Sequence, residues 1–164
     1  MELYLIRHGI AEDKALNIQD ELRSLTKEGR QKTQKVAQRL VELDLHFDLV
    51  VTSPLVRSRE TAEILIASGV SSQLEESLHL TPDGNIHNWV TDWLEPRNYA
   101  PDTQLALVGH EPNLSQWAEI LVWGEVKESI VLKKAGMIGI KLPEIGSPLG
   151  RSQMFWLTPP KYLV

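Results

Sequence analysis

Three short aliphatic runs punctuate this chain, at residues 3–6, 48–52 and 105–108. Their near-continuous apolar character predicts strands buried on both faces of a parallel sheet. Between them the apolar positions shift to helical spacing. Val36, Ala37, Leu40 and Leu43 share one face of a predicted helix that starts at Thr26 and ends near Asp44. Thr26 suits its N-cap, and Glu28 suits the positive end of its dipole. Ser53 and Pro54 predict a second helix start, Ser53 capping and Pro54 at the first helical position, with Ala62, Leu65 and Ile66 buried. A short strand is expected near Gln73 and Leu74. The turn at residues 81–84 predicts entry to a helix holding Trp89, Val90, Trp93 and Leu94. Leu114, Trp117, Ala118, Leu121 and Val122 mark another helix after Pro112. Strands at 137–140 and 154–157, joined by a Gly/Pro-rich turn, close the chain, while residues 9–25 read as a long polar loop.

Strands alternating with helices predict an α/β fold, a three-layer αβα sandwich with a mostly parallel central sheet and antiparallel pairing at one side. The length of 164 residues suits one domain spanning 1–164. The lack of cysteine excludes disulfides, thiolate metal sites and cysteine-dependent phosphatase chemistry. A net charge of −5 argues against a nucleic-acid backbone as partner, so any cationic site must be local. No apolar stretch approaches the roughly 18 residues of a membrane span, and the first residues do not read as a secretory signal. A cytoplasmic location without membrane contact is therefore expected.

The candidate chemistry lies at the carboxyl ends of the aliphatic runs. The first ends in Arg7, His8 and Gly9, the second leads to Ser53, Pro54 and Arg57, the third to Gly109, His110 and Glu111. Ligands in open α/β folds bind beyond the carboxyl ends of the strands, so three such ends would gather two arginines and two histidines into a phosphate-sized site. In that site His8 is the candidate nucleophile, attacking phosphorus through a neutral ring nitrogen while its other nitrogen is held by a backbone carbonyl. Arg7 and Arg57 would disfavour its protonation, and Arg57 would offer a planar fork to two phosphate oxygens. Gly9 lets the backbone approach the phosphate, and His110 is a further donor to it. Glu111 could hold an imidazole or Arg7. Arg57 has an alternative as an exposed helix arginine paired with Glu60 or Glu63.

These residues resemble the histidine phosphatase superfamily: Arg7-His8-Gly9, Ser53-Pro54 with Arg57 and Glu60-Thr61-Ala62, then Gly109-His110. Asp20, Arg23, Leu25, Thr26 and Gly29 are similar to the D-x-x-R-x-L-T-x-x-G stretch of its SixA-type phosphohistidine phosphatases, as are residues 80–84 and 156–160. The resemblance implies a phosphoglycerate mutase-like fold, phosphorylation of His8, and a phosphate pocket of Arg7, Arg57 and His110 with Arg23 as a fourth cation. It implies no metal or organic cofactor, a phosphohistidine-bearing protein as partner, and inorganic phosphate as product. Members acting on stable esters supply a carboxylic acid after the second helix. Here Glu75 and Glu76 are available, but His79 stands where a glutamate is often found. That weak acid side favours phosphohistidine over esters, with Asp20 as candidate proton shuttle. A metal-independent phosphatase of small-molecule esters, a metal hydrolase built on His8 and His110, and a phosphoprotein-binding module are the alternatives.

Overall fold

The computed structural model describes the backbone of residues 1–164 and every side chain except that of Leu16. Six strands form one sheet: β1 (Glu2–Arg7), β2 (Leu49–Thr52), β3 (Leu74–Glu76), β4 (Gln104–Gly109), β5 (Met137–Lys141) and β6 (Gln153–Thr158). Their order is β3-β2-β4-β1-β5-β6. The first four are parallel, and β5 and β6 add antiparallel pairs on one side. Helices α1 (Lys27–Glu42), α2 (Val56–Ser68) and α4 (Asn113–Trp123) cover it, together with α3 (Ile86–Asn88), which widens into a π-helix at Trp89–Leu94.

Alternation along the central strands sends side chains to two cores. Leu3, Leu5, Leu105 and Leu107 pack with Trp89, Trp93, Trp117 and Leu121. Tyr4, Ile6, Ala106 and Val108 pack on the other face with Val36, Ala37, Leu40 and Leu65. The three-layer architecture expected from the pattern is therefore present. Trp89 lies 5.5 Å from Trp93 and 5.6 Å from Trp117 between ring centroids, so these indoles are core.

Three local expectations change. Leu43 is not on the buried face: α1 ends one residue earlier, and Leu43 is 43% exposed at its C-cap. Ser53 does not cap α2, which begins at Val56 with Leu55 at the N-cap position and no side-chain cap. The Ser53 hydroxyl is drawn instead to His110, 2.9 Å from its Nε2. The polar loop is also no free loop. Ala11 pairs with Leu25 as an isolated antiparallel bridge, flanked by hydrogen bonds from Glu12 N to Ser24 O and from Thr26 N to Ile10 O, both 2.9 Å. The intervening residues form a strap with helical turns at Lys14–Leu16 and Asp20–Leu22.

The strap is seated on the first turn of α1. Thr26 caps it, its hydroxyl accepting from Gly29 N at 2.9 Å, and a Cβ on Gly29 would stand 2.0 Å from the carbonyl oxygen of Ile10. Gly29→Ala is therefore expected to push strap and helix apart and to cost about 1–3 kcal/mol. Urea denaturation would read this as a lower midpoint at unchanged slope, and an unchanged midpoint would contradict the close approach.

Candidate active site

Register places the site. β1 and β4 pair in parallel with Arg7 opposite Gly109, and His8 N donates to Gly109 O at 3.0 Å, so the residues just beyond these strands emerge side by side. β2 lies on the other edge of β4, and Ser53 N donates to Val108 O at 3.0 Å. Three neighbouring carboxyl ends thus open into one cleft of about 560 Å³, lined by Arg7, His8, Arg57 and His110 and closed over by Asp20 and Arg23 of the strap.

His8 is 6% exposed and held at both ring nitrogens. Nδ1 lies 2.7 Å from the carbonyl oxygen of Gly9, which can only accept, so Nδ1 carries the proton. Nε2 is the unprotonated nitrogen, and its lone pair accepts from Arg57 Nε at 3.3 Å. Burial, together with His110, Arg57 and Arg7, lowers the His8 pKa to about 3 despite the Gly9 bond, so the ring is neutral near pH 7. Gly9 is itself fixed: its N–H donates to Thr61 Oγ1 at 3.0 Å, and a Cβ there would lie 2.4 Å from Thr33 Oγ1.

His110 lies 5.3 Å from His8 between ring centroids. Its Nε2 meets the hydroxyls of Ser53 at 2.9 Å and Ser58 at 3.3 Å, and burial plus Arg57 lowers its pKa to about 4. Arg57, at the second position of α2, is buried and pairs with neither Glu60 nor Glu63. It donates to the Asp20 carbonyl at 2.7 Å and to Asp20 Oδ2 at 3.2 Å. Glu60 serves the strap instead, accepting from Leu25 N and Arg30 at 2.7 Å each. Arg23 donates to Asp20 Oδ1 at 3.0 Å and to Glu12 O at 2.7 Å. Burial pushes the Asp20 pKa up, but Arg23 and Arg57 outweigh it and leave it below the ordinary carboxylate value. Arg7 donates to Leu132 O at 2.9 Å, while its Nε and His110 Nδ1 are buried without a hydrogen-bond partner.

The other sequence candidates separate. Glu111 holds neither an imidazole nor Arg7; its Oε1 accepts from Ser115 N at 2.8 Å, in the first turn of α4. Glu75 is turned away to Trp93 Nε1 and Arg97, and Glu76 stands near Arg59, so neither lines the cleft. Lys134 does line it, although the sequence pattern did not mark it; burial, then Arg7, Arg23 and Arg57, lower its pKa. Its signal was the basic pair just before β5, the strand that lies beside β1. Glu119 had no local signal. Fully buried in α4, it accepts from the backbone N–H groups of Lys127, Glu128, Ser129 and Ile130, pinning the loop whose Leu132 carbonyl holds Arg7.

The sequence model of the histidine phosphatase superfamily (branch 1) matches residues 3–82, which carry the first two strand-end motifs. An uncharacterized protein of Picosynechococcus sp. is 44% identical over 170 residues, spanning 100% of this chain and 99% of that protein. The chain belongs to the histidine phosphatase superfamily. Among solved structures, the protein histidine phosphatase SixA complexed with tungstate superposes with a TM-score of 0.84 at 23% identity, covering 100% of both chains. The alpha-ribazole phosphatase of Shigella flexneri superposes with a TM-score of 0.69 at 19% identity over 96% of each. These two share the superfamily fold seen here, and phosphatase chemistry comes with the membership. Their different substrates mean that the fold alone does not choose one.

Proposed function

We propose that this histidine phosphatase hydrolyses phosphohistidine on a protein, through a phosphohistidine formed on His8. The observation that carries the reading is the ring of His8, neutral, with its proton on Nδ1 against Gly9 O and its Nε2 lone pair held only by Arg57 Nε, a long bond of 3.3 Å that Arg57 gives up as it turns to the phosphoryl oxygens. Nε2 attacks phosphorus as the P–N bond of the substrate breaks. The departing imidazole takes a proton on its second nitrogen from solvent and leaves neutral. Water then attacks the phosphorus on His8, and inorganic phosphate departs. Because Nδ1 keeps its proton on Gly9 O, His8 also leaves as a neutral ring and needs no acid of its own.

Arg7, Arg23, Arg57 and His110 would take the phosphoryl oxygens, with Gly9 allowing the close approach; the unpartnered Arg7 Nε and His110 Nδ1 are donors that such oxygens would satisfy. For this, Arg57 exchanges its bonds to Asp20 for bonds to phosphate. Asp20, ionised beside Arg23 and Arg57 in the resting cleft, has no proton to donate to a leaving group; once these arginines turn to phosphate, its freed carboxylate can accept a proton from the attacking water. The mechanism calls on no metal or cofactor. Glu75 and Glu76 stand outside the cleft, which leaves an ester oxygen without the acid expected from that segment. A missing general acid costs on the order of 10²–10⁴-fold, and phosphoramidates escape most of that penalty.

Phosphate release from a histidine-phosphorylated protein and from a panel of sugar and nucleotide phosphates is the test. We expect kcat/KM about 10²-fold higher on the phosphoramidate, with vanadate inhibiting both. Esters turned over as fast or faster would transfer the reading to small-molecule substrates, a reading favoured by Glu12 and Glu111, carboxylates that do line the cleft.

A further inference from the structure

A second cavity, of about 730 Å³, adjoins the catalytic cleft and shares Arg7 and Lys134 with it. Its floor is apolar: Val131 is 68% and Leu157 42% exposed, with Ile10 and Pro159 beside them. Lys32, Lys133 and Lys161 complete its rim, and among the described residues no acidic one lines it. Among the described residues, none of these lysines forms an ion pair with a carboxylate. Cations without carboxylate partners among the described residues, gathered around exposed apolar side chains on a chain with net charge −5, are a local arrangement that ion pairing does not explain, although Lys161 also lies 4.8 Å from the centroid of the Tyr162 ring.

We propose that this groove docks an acidic segment with apolar side chains, belonging to the same protein whose phosphohistidine enters the cleft. The inference rests on the phosphohistidine reading and adds a specificity surface to it. Charge complementarity selects the occupant: the apolar floor takes the segment's hydrophobic side chains while the lysine rim meets its carboxylates. Continuity with the cleft through Arg7 and Lys134 sets its position, since a segment seated there lies next to the transferred phosphoryl group. A concave groove on an acidic protein suits such a segment better than an anionic bilayer, which the remainder of the surface would repel.

Two synthetic phosphohistidine peptides test this, identical except that the flanking segment is acidic and apolar in one and basic and apolar in the other. The acidic peptide is expected to show kcat/KM about 10-fold higher, carried by a lower KM and lost as salt rises. The double charge reversal Lys32→Glu with Lys161→Glu removes that advantage, while turnover of the phosphoramidate ion, too small to reach the groove, is unchanged. Val131→Ser, at an exposed position that folding does not depend on, raises KM for the acidic peptide alone. Equal turnover of both peptides overturns the groove and leaves the substrate reading intact. So does an advantage that survives the charge reversal, or binding of anionic phospholipid vesicles with no preference between the peptides. No release from either peptide, while a sugar phosphate is hydrolysed, overturns the substrate reading and the groove with it.

Discussion

Replacing His8 by alanine is expected to abolish phosphate release while leaving the fold in place. Removal of a covalent nucleophile costs on the order of 10⁴–10⁶-fold, because the remaining groups still bind the phosphoryl oxygens but nothing accepts the phosphorus. The side chain lies at the end of β1, outside both apolar cores, and its main-chain bond to Gly109 O survives the substitution. Far-UV circular dichroism and the urea midpoint should therefore stay near those of the parent. A direct readout is the intermediate: brief reaction with a radiolabelled phosphodonor should leave alkali-stable, acid-labile label on the parent protein and none on His8→Ala. Label retained by the variant, or turnover within a few-fold of the parent, would remove His8 from the reaction.

The second large effect is acid destabilisation. His8 and His110 have pKa values lowered from 6.5 to about 3 and about 4, burial being the leading cause in each. Above the unfolded value both states are neutral and the pair contributes nothing to the pH dependence. As pH falls below 6.5 the unfolded chain takes up two protons that the folded chain refuses, so stability declines until the folded values are reached. Between pH 7 and 5 the loss is about 2–4 kcal/mol, lowering the melting temperature by roughly 5–15 °C. His8→Asn removes one titrating group and should flatten the slope to about half. A parent whose urea midpoint is flat from pH 7 to 5 would show that these imidazoles are protonated in the folded protein. If His8 is the nucleophile, the same shift predicts that kcat/KM has no acid limb near 6.5, since His8 stays neutral well below that pH.

Sequence range decides how much of the molecule was legible beforehand. Continuous aliphatic runs along β1, β2 and β4, and the threonine cap of α1, depend on residues close in sequence, and these elements lie where the pattern places them. The two histidines and Arg57 were legible because each stands just beyond a strand, and parallel pairing of those strands brings them together without further information. Ser53 misled for a local reason with a distant cause. As a residue before proline it reads as a cap, yet its hydroxyl is used by His110, 57 residues away. Glu111 failed in the opposite sense. Expected to hold an imidazole or Arg7, it lines the cleft but bonds the free backbone N–H of Ser115 instead.

Asp20 shows the limit most clearly. Its place in a recognisable motif marked it as chemical, but which chemistry depends on Arg23 and Arg57, and Arg57 lies 37 residues further on. Only folding brings that second cation to the carboxylate and lowers the pKa of the candidate proton shuttle. The same holds for Glu119, whose four backbone contacts come from a loop with no regular pattern, and for Lys134 and the lysine-rimmed groove. The layers, and the meeting of Arg7, His8, Arg57 and His110 in one cleft, followed from the sequence, since local periodicity and topology rules suffice for them. Tertiary structure alone decided protonation states, hydrogen-bond partners and the shape of the surface beside the cleft, because burial and the distances between charges depend on contacts remote in the chain.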